Sequence, residues 1–292
     1  YANSAAIDRE RVYWQQIDQA GSTPLPKDDD AQETTLLRDS ETVTVQWTGQ
    51  ETELLLKQAH RAYNTEVNDL LLTALGTAIH AWSGMEQVLV NLEGHGRESI
   101  VPDIDITRTV GWFTSQYPVV LRIDEGQDVS QRIKQTKEGL RHIPQKGIGY
   151  GILRYLSEPG ESAAYRARPE ISFNYLGQFD QDFQHNGLQQ SPYSIGAAVS
   201  DHAAMNYVLD INGMISQGAL SLTIRYSAKV YRGETMERLA GLFKSSLQEV
   251  IAHCVAKEAP EPTPSDLLLK GLTTSELEQI VAQTRHVGEI EN

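Results

Sequence analysis

Gln87-Val88-Leu89-Val90-Asn91-Leu92 runs without a break into Glu93-Gly94-His95-Gly96-Arg97-Glu98. The first six residues are mostly aliphatic and carry β-branched side chains, which predicts a strand of a buried sheet. Two glycines then let the backbone turn sharply and approach a ligand closely. The turn crowds a carboxylate, an imidazole and a guanidinium at one strand end. A cationic neighbour favours a carboxylate's charged form and burial opposes it. A carboxylate set between those pulls is what a general base needs. A solvated, charged turn is the alternative reading.

Helices and strands mix on both sides of this stretch. Upstream, Glu66–Ser83 carries Val67, Leu70, Leu71, Ala74, Leu75, Ala78, Ile79 and Trp82 at three- and four-residue steps, a helix with one wide apolar stripe. Thr65 is its expected N-cap, with Asp69 in its first turn. Further helices are expected at Ser4–Gln19 (Ile7, Val12, Trp14, Ile17), Gln50–Tyr63, Asp128–His142 and Glu234–Ala256, with a short one at 274–284. Strands are expected at Thr42–Trp47, Tyr117–Ile123, Glu170–Tyr175, Tyr207–Met214 and Ala219–Tyr226. Long crossings between them predict an α/β fold with a mixed sheet flanked by helices. Ala259-Pro260-Glu261-Pro262-Thr263-Pro264 predicts a stiff spacer.

The chain has 292 residues, 40% hydrophobic and 22% charged, enough for a substantial core. A net charge of −14 argues against binding nucleic acid through its phosphates. No apolar run approaches the roughly 20 residues that span a bilayer. One cysteine, Cys254, can form neither an intrachain disulfide nor a thiolate metal cage, so a cytoplasmic protein is expected. The eight histidines, His185 and His286 among them, show no metal-ligand spacing, and no nucleophile elbow occurs. No bound metal is expected.

Three more stretches are candidates for chemistry. Thr107-Arg108-Thr109-Val110-Gly111-Trp112-Phe113-Thr114 sets aromatics beside a glycine, and core anchoring is the expected use of Trp112 and Phe113, a ligand channel the other. Gln145–Gly151 is dense in glycine but lacks the Gly-Lys-Ser/Thr ending of a phosphate loop. In Ser172-Phe173-Asn174-Tyr175-Leu176-Gly177-Gln178, strand alternation sends Asn174 and Tyr175 to opposite faces unless the chain bends at Gly177.

Taken together, Asn64-Thr65 through Asp69-Leu70-Leu71, Leu92–Glu98, Arg108–Thr114, Lys146–Gly151 and Phe173–Gln178 resemble, in order, the epimerization domains of nonribosomal peptide synthetases, a branch of the condensation-domain superfamily. The resemblance covers about residues 1–270. It implies a lobe of the chloramphenicol-acetyltransferase-like α/β sandwich type. It also implies proton transfer at the α-carbon of an aminoacyl or peptidyl thioester, carried on the 4′-phosphopantetheine arm of a peptidyl carrier protein. On that resemblance Glu93 is the base or acid, and Tyr175 or Asn174 donates toward the thioester oxygen or reprotonates the carbanion. Arg108 orients Glu93 or contacts the arm, while His95, Arg97, Trp112 and Phe113 shape the substrate site.

The family's first lobe carries a His-His-x-x-x-Asp-Gly motif that is absent here. The expectation is therefore the second lobe alone. Residues 1–40 would be the entry from the first lobe, 41–258 the lobe, and 259–292 a spacer and tail, with Val287–Asn292 leading toward a downstream condensation domain. Two competing readings are a condensation-type domain that forms a peptide bond and a non-catalytic lobe that docks carrier proteins.

Overall fold

The computed structural model describes the chain except residues 21–22, 31–33, 102, 158–164, 179–192, 194–195, 268–271 and 282–292. The expectations for Val287–Asn292, His185, His286 and the end of the tail helix lie outside the described residues.

Six strands form one mixed sheet in the order β1-β6-β5-β4-β2-β3. They are β1 (Ser40–Gln46), β2 (Gln87–Gly94), β3 (Ser115–Arg122), β4 (Ile171–Gln178), β5 (Leu209–Ser216) and β6 (Ala219–Ser227). The pairs β2/β4 and β4/β5 are parallel, and the other three are antiparallel. β5 and β6 are joined by a hairpin at Gln217-Gly218, where both φ angles are positive. That tight return departs from the expectation of long crossings throughout.

Alternation divides the sheet into two chemically distinct faces. Val90, Leu92, Ile171, Phe173, Leu209, Ile211, Leu222 and Ile224 are buried in the core. Packed on this apolar side are α2 (Gly49–Lys57), α3 (Val67–Ser83), α4 (Val129–Arg141) and a long α6 (Gly233–Ala256). Each fully buried Leu or Ile contributes about 1.5–3 kcal/mol. α3 is buried well beyond its apolar stripe, Thr73 and Thr77 included, because it is packed against α4, α6 and the sheet.

The register carries a polar row across the other face. Thr44 opposes Thr223, Thr223 opposes Asn212, and Asn212 opposes Asn174. Leu92 opposes Phe173, so the next step sets Asn174 beside Glu93, which opposes Gln116.

Several local expectations change. Glu93 and Gly94 belong to β2 itself, because Gln116 and Ser115 extend the pairing past Leu92. The N-cap of α3 is Glu66, whose backbone N–H donates to the Asp69 carboxylate at 2.7 Å. Asp69 is 1% exposed and also accepts two bonds from Arg141, at 3.1 and 2.7 Å. Gln145–Gly151, for which no helix or strand is expected, is ordered as well. It leads through a short turn into α5 (Ile148–Leu156), whose glycines hide a helix from a reading by propensity.

α1 (Ala5–Gln19) belongs to the same core, with Ile7 and Trp14 fully buried, although Val12 is exposed. It lies against α5 so closely that a Cβ on Gly149 would fall 1.9 Å from a Glu10 oxygen. The proline-rich segment is also held down. The Glu261 N–H donates to the Ala62 carbonyl at 2.8 Å, and Thr263 is fully buried.

Candidate active site

Glu93 stands on β2 between two partner strands, and each supplies a side-chain amide. Gln116 Nε2 on β3 donates to Glu93 Oε1 at 2.9 Å, and Asn174 Nδ2 on β4 donates to Oε2 at 2.9 Å. An amide N–H can only meet an acceptor, so this arrangement holds the side chain as an acceptor on both oxygens. The carboxyl group is partly exposed and lines two adjoining cavities. One, of about 970 Å³, has walls from Trp112, Phe113, Ile148, Tyr155 and Leu156. The other, of about 580 Å³, runs over Ser172, Asp210, Asn212 and Arg225 on the polar sheet face.

Tyr207 lines both cavities beside Glu93. Burial raises its phenol above the ordinary tyrosine range, and the charges of Glu93 and Asp210 push it the same way. It therefore keeps its proton and can donate a hydrogen bond at neutral pH. Neither Gln116 nor Tyr207 stands in a stretch that the sequence alone marks for chemistry. Gln116 is identified by cross-strand register, and Tyr207 by the approach of the chain to β5.

The remaining candidates separate. Asn174 and Tyr175 do fall on opposite faces. Tyr175 is half-buried against the hydrophobic core, and burial raises its phenol. His95 points to a different cavity, where Nε2 lies 3.0 Å from Glu98 and Nδ1 accepts from the Arg97 N–H. Arg97 staples a loop, donating to the Ile106 and Thr109 carbonyls at 2.7 and 3.0 Å, with its guanidinium 4.2 Å from the Phe113 ring centre. Gly96 makes this packing possible, because its φ is +65° and a Cβ there would collide with the Phe113 carbonyl.

Arg108 is exposed and makes no hydrogen bond or ion pair among the described residues; the groups that orient Glu93 are the two amides. Core anchoring, expected for Trp112, is overturned: its ring is 90% exposed at the mouth of the larger cavity. Cys254 is buried, and burial pushes its thiol up to about 12, which excludes it as a nucleophile. Among the described residues no cluster of side chains could hold a metal ion, and no helix is long and apolar enough to cross a membrane.

The family model described as "Condensation domain" matches residues 1–271. A subunit of the mycosubtilin synthase of Bacillus subtilis is 58% identical over the whole chain, which spans 11% of that protein. Tyrocidine synthase 1 of Brevibacillus parabrevis is 42% identical over 96% of the chain, again only 27% of its own length. Among solved structures, the epimerization domain from the third module of tyrocidine synthetase B superposes with a TM-score of 0.81 at 44% identity. That match covers 88% of this chain and 58% of the other. The chain belongs to the condensation-domain family of the nonribosomal peptide synthetases, with the chloramphenicol-acetyltransferase-like fold.

Proposed function

We propose that this chain is the glutamate-bearing lobe of an epimerization domain, which inverts the α-carbon of an aminoacyl or peptidyl thioester. The observation that carries the reading is Glu93, held by two amides at the junction of two cavities on an otherwise polar sheet face. The likeness to the tyrocidine epimerization domain supports it.

The substrate would arrive on the 4′-phosphopantetheine arm of a peptidyl carrier protein. Apolar walls from Trp112, Ile148 and Tyr155 suit the aliphatic parts of such an arm, and the cavity's volume is of drug-sized-ligand scale. Glu93 takes or returns the α-proton on one face of the α-carbon. An acid–base partner works on the other face, and we assign it to the family's His-His motif on a first lobe. Removal of the proton moves charge onto the thioester oxygen, so a donor near that oxygen lowers the barrier. Tyr207 and Asn174 lie on the Glu93 side of the sheet, whereas Tyr175 would have to act from the opposite face.

The test is exchange of the α-hydrogen with solvent deuterium on a carrier-bound substrate, with this chain in its complete domain. Glu93→Gln keeps the shape and loses the base, and the exchange rate falls ~10²–10⁴-fold. Exchange that survives the substitution rules out Glu93 as the base. The family model's own description favours a second reading, amide-bond formation between two carrier-bound substrates. Product mass separates the two, since condensation joins substrates and epimerization leaves mass unchanged.

A further inference from the structure

We infer that Gln116 is a positioning residue for Glu93, one arm of a two-amide clamp that fixes the carboxylate plane. The inference rests on the epimerase reading for its use but on geometry for its existence. β2 lies between β3 and β4, so Glu93 has a neighbour on each side in the same row. Gln116 and Asn174 each donate to a different oxygen of the same carboxylate, both at 2.9 Å. One donor alone would leave the group free to rotate about its last torsion, a broad and shallow well for a glutamate. Two donors from opposite strands remove that freedom.

A base that must meet one C–H bond gains from such fixing, because misplacement near 1 Å can cost a hundredfold in rate. The clamp anchors the glutamate without an ion pair, since among the described residues no lysine or arginine forms a salt bridge with it. Arg97 and His95, the basic residues nearest in sequence, are committed to the 106–109 loop and to Glu98.

The expected effect of losing one arm is moderate, because Gln116 is exposed and water can replace part of the bond. Gln116→Met, close in size but without a donor, lowers kcat for α-hydrogen exchange about 3- to 10-fold and leaves KM and the melting temperature unchanged. Gln116→Glu sets an acceptor against an acceptor and lowers kcat further. In a Glu93→Gln background neither change has more effect, the double-mutant signature of a residue acting through Glu93.

A second readout does not depend on activity. In the isotope-labelled chain, Glu93→Ala moves the side-chain amide signals of Gln116 and Asn174 together. Gln116 signals that ignore Glu93, or a Gln116→Met loss that persists in the Glu93→Gln background, overturn the clamp. Amides that respond to Glu93 while exchange is absent, or indifferent to Glu93→Gln, uphold the clamp and overturn the epimerase reading together with the catalytic use of Gln116.

Discussion

Asp266→Asn tests how the proline-rich segment is bound to the lobe. Lys137 on α4 is 1% exposed, and its ammonium donates to the Asp266 carboxylate at 2.7 Å and to the Tyr63 carbonyl at 2.7 Å. Two unit charges at that distance attract by about 6 kcal/mol at an effective dielectric of ~20. Most of this offsets the cost of taking the ammonium out of water, several kcal/mol per ion. The pair therefore contributes little net stability, but its rupture is expensive. Asp266→Asn leaves a buried cation with only neutral acceptors, which costs about 3 kcal/mol, the lower end of the range for a broken buried pair.

The assay is urea unfolding of the chain with both single variants and the double variant, Lys137→Met being the second single. Removing both partners recovers most of the loss, so the coupling between the two sites exceeds ~1.5 kcal/mol. The pH dependence has a definite sign. Burial opposes the charge on Asp266, but Lys137, the Thr263 N–H and the Asn64 amide outweigh it and hold the carboxyl below its usual range. The folded state then binds fewer protons than the unfolded one. The contribution is complete above about pH 4, the unfolded value, and fades as pH falls through the lower folded value. A loss under 1 kcal/mol, or a difference from Asp266→Asn that grows on acidification, refutes this account.

Gly96→Ala forces a side chain into a left-handed conformation and against the Phe113 carbonyl, at ~2–4 kcal/mol. Thermal unfolding reads it as a fall in melting temperature of about 5 °C or more, and an unchanged melting temperature contradicts the packing. Cys254, with its thiol pushed up to about 12 by burial, resists alkylation by iodoacetamide at pH 8 and reacts once urea unfolds the chain. Prompt labelling of the folded chain shows that α6 is not seated on its core.

Elements are legible in the sequence where a single period governs burial. β5 and β6 are readable by their alternation, and β2 by a run of aliphatic residues buried on both faces. What alternation along one strand cannot supply is the register between strands, and the site is built from register. Gln116 is 23 residues from Glu93 in the chain and Asn174 is 81 away, yet the ladder makes them neighbours. Basic residues near Glu93 in sequence point to Arg97 and His95, but the turn at Gly96 carries those side chains off the polar face. The α5 helix escapes a sequence reading for a related reason: its glycines lower local propensity, and its stability comes from Tyr150 and Leu153 packing against the core.

Strand parity singles out one residue of the Leu92–Gly94 strand end. Leu92 and Gly94 flank Glu93 on β2 and line a cavity on the other side of the sheet, so of the Leu92–Glu98 stretch it is Glu93 that lines the two cavities on the polar face. Moving the glutamate back to position 92, which is 5% exposed and opposes Tyr117, would bury its carboxylate at a desolvation cost. The motif's glutamate is thus fixed by the parity of its strand. Its two oxygens are fixed by the parity of the neighbours, and the two-amide arrangement requires all three strands in register.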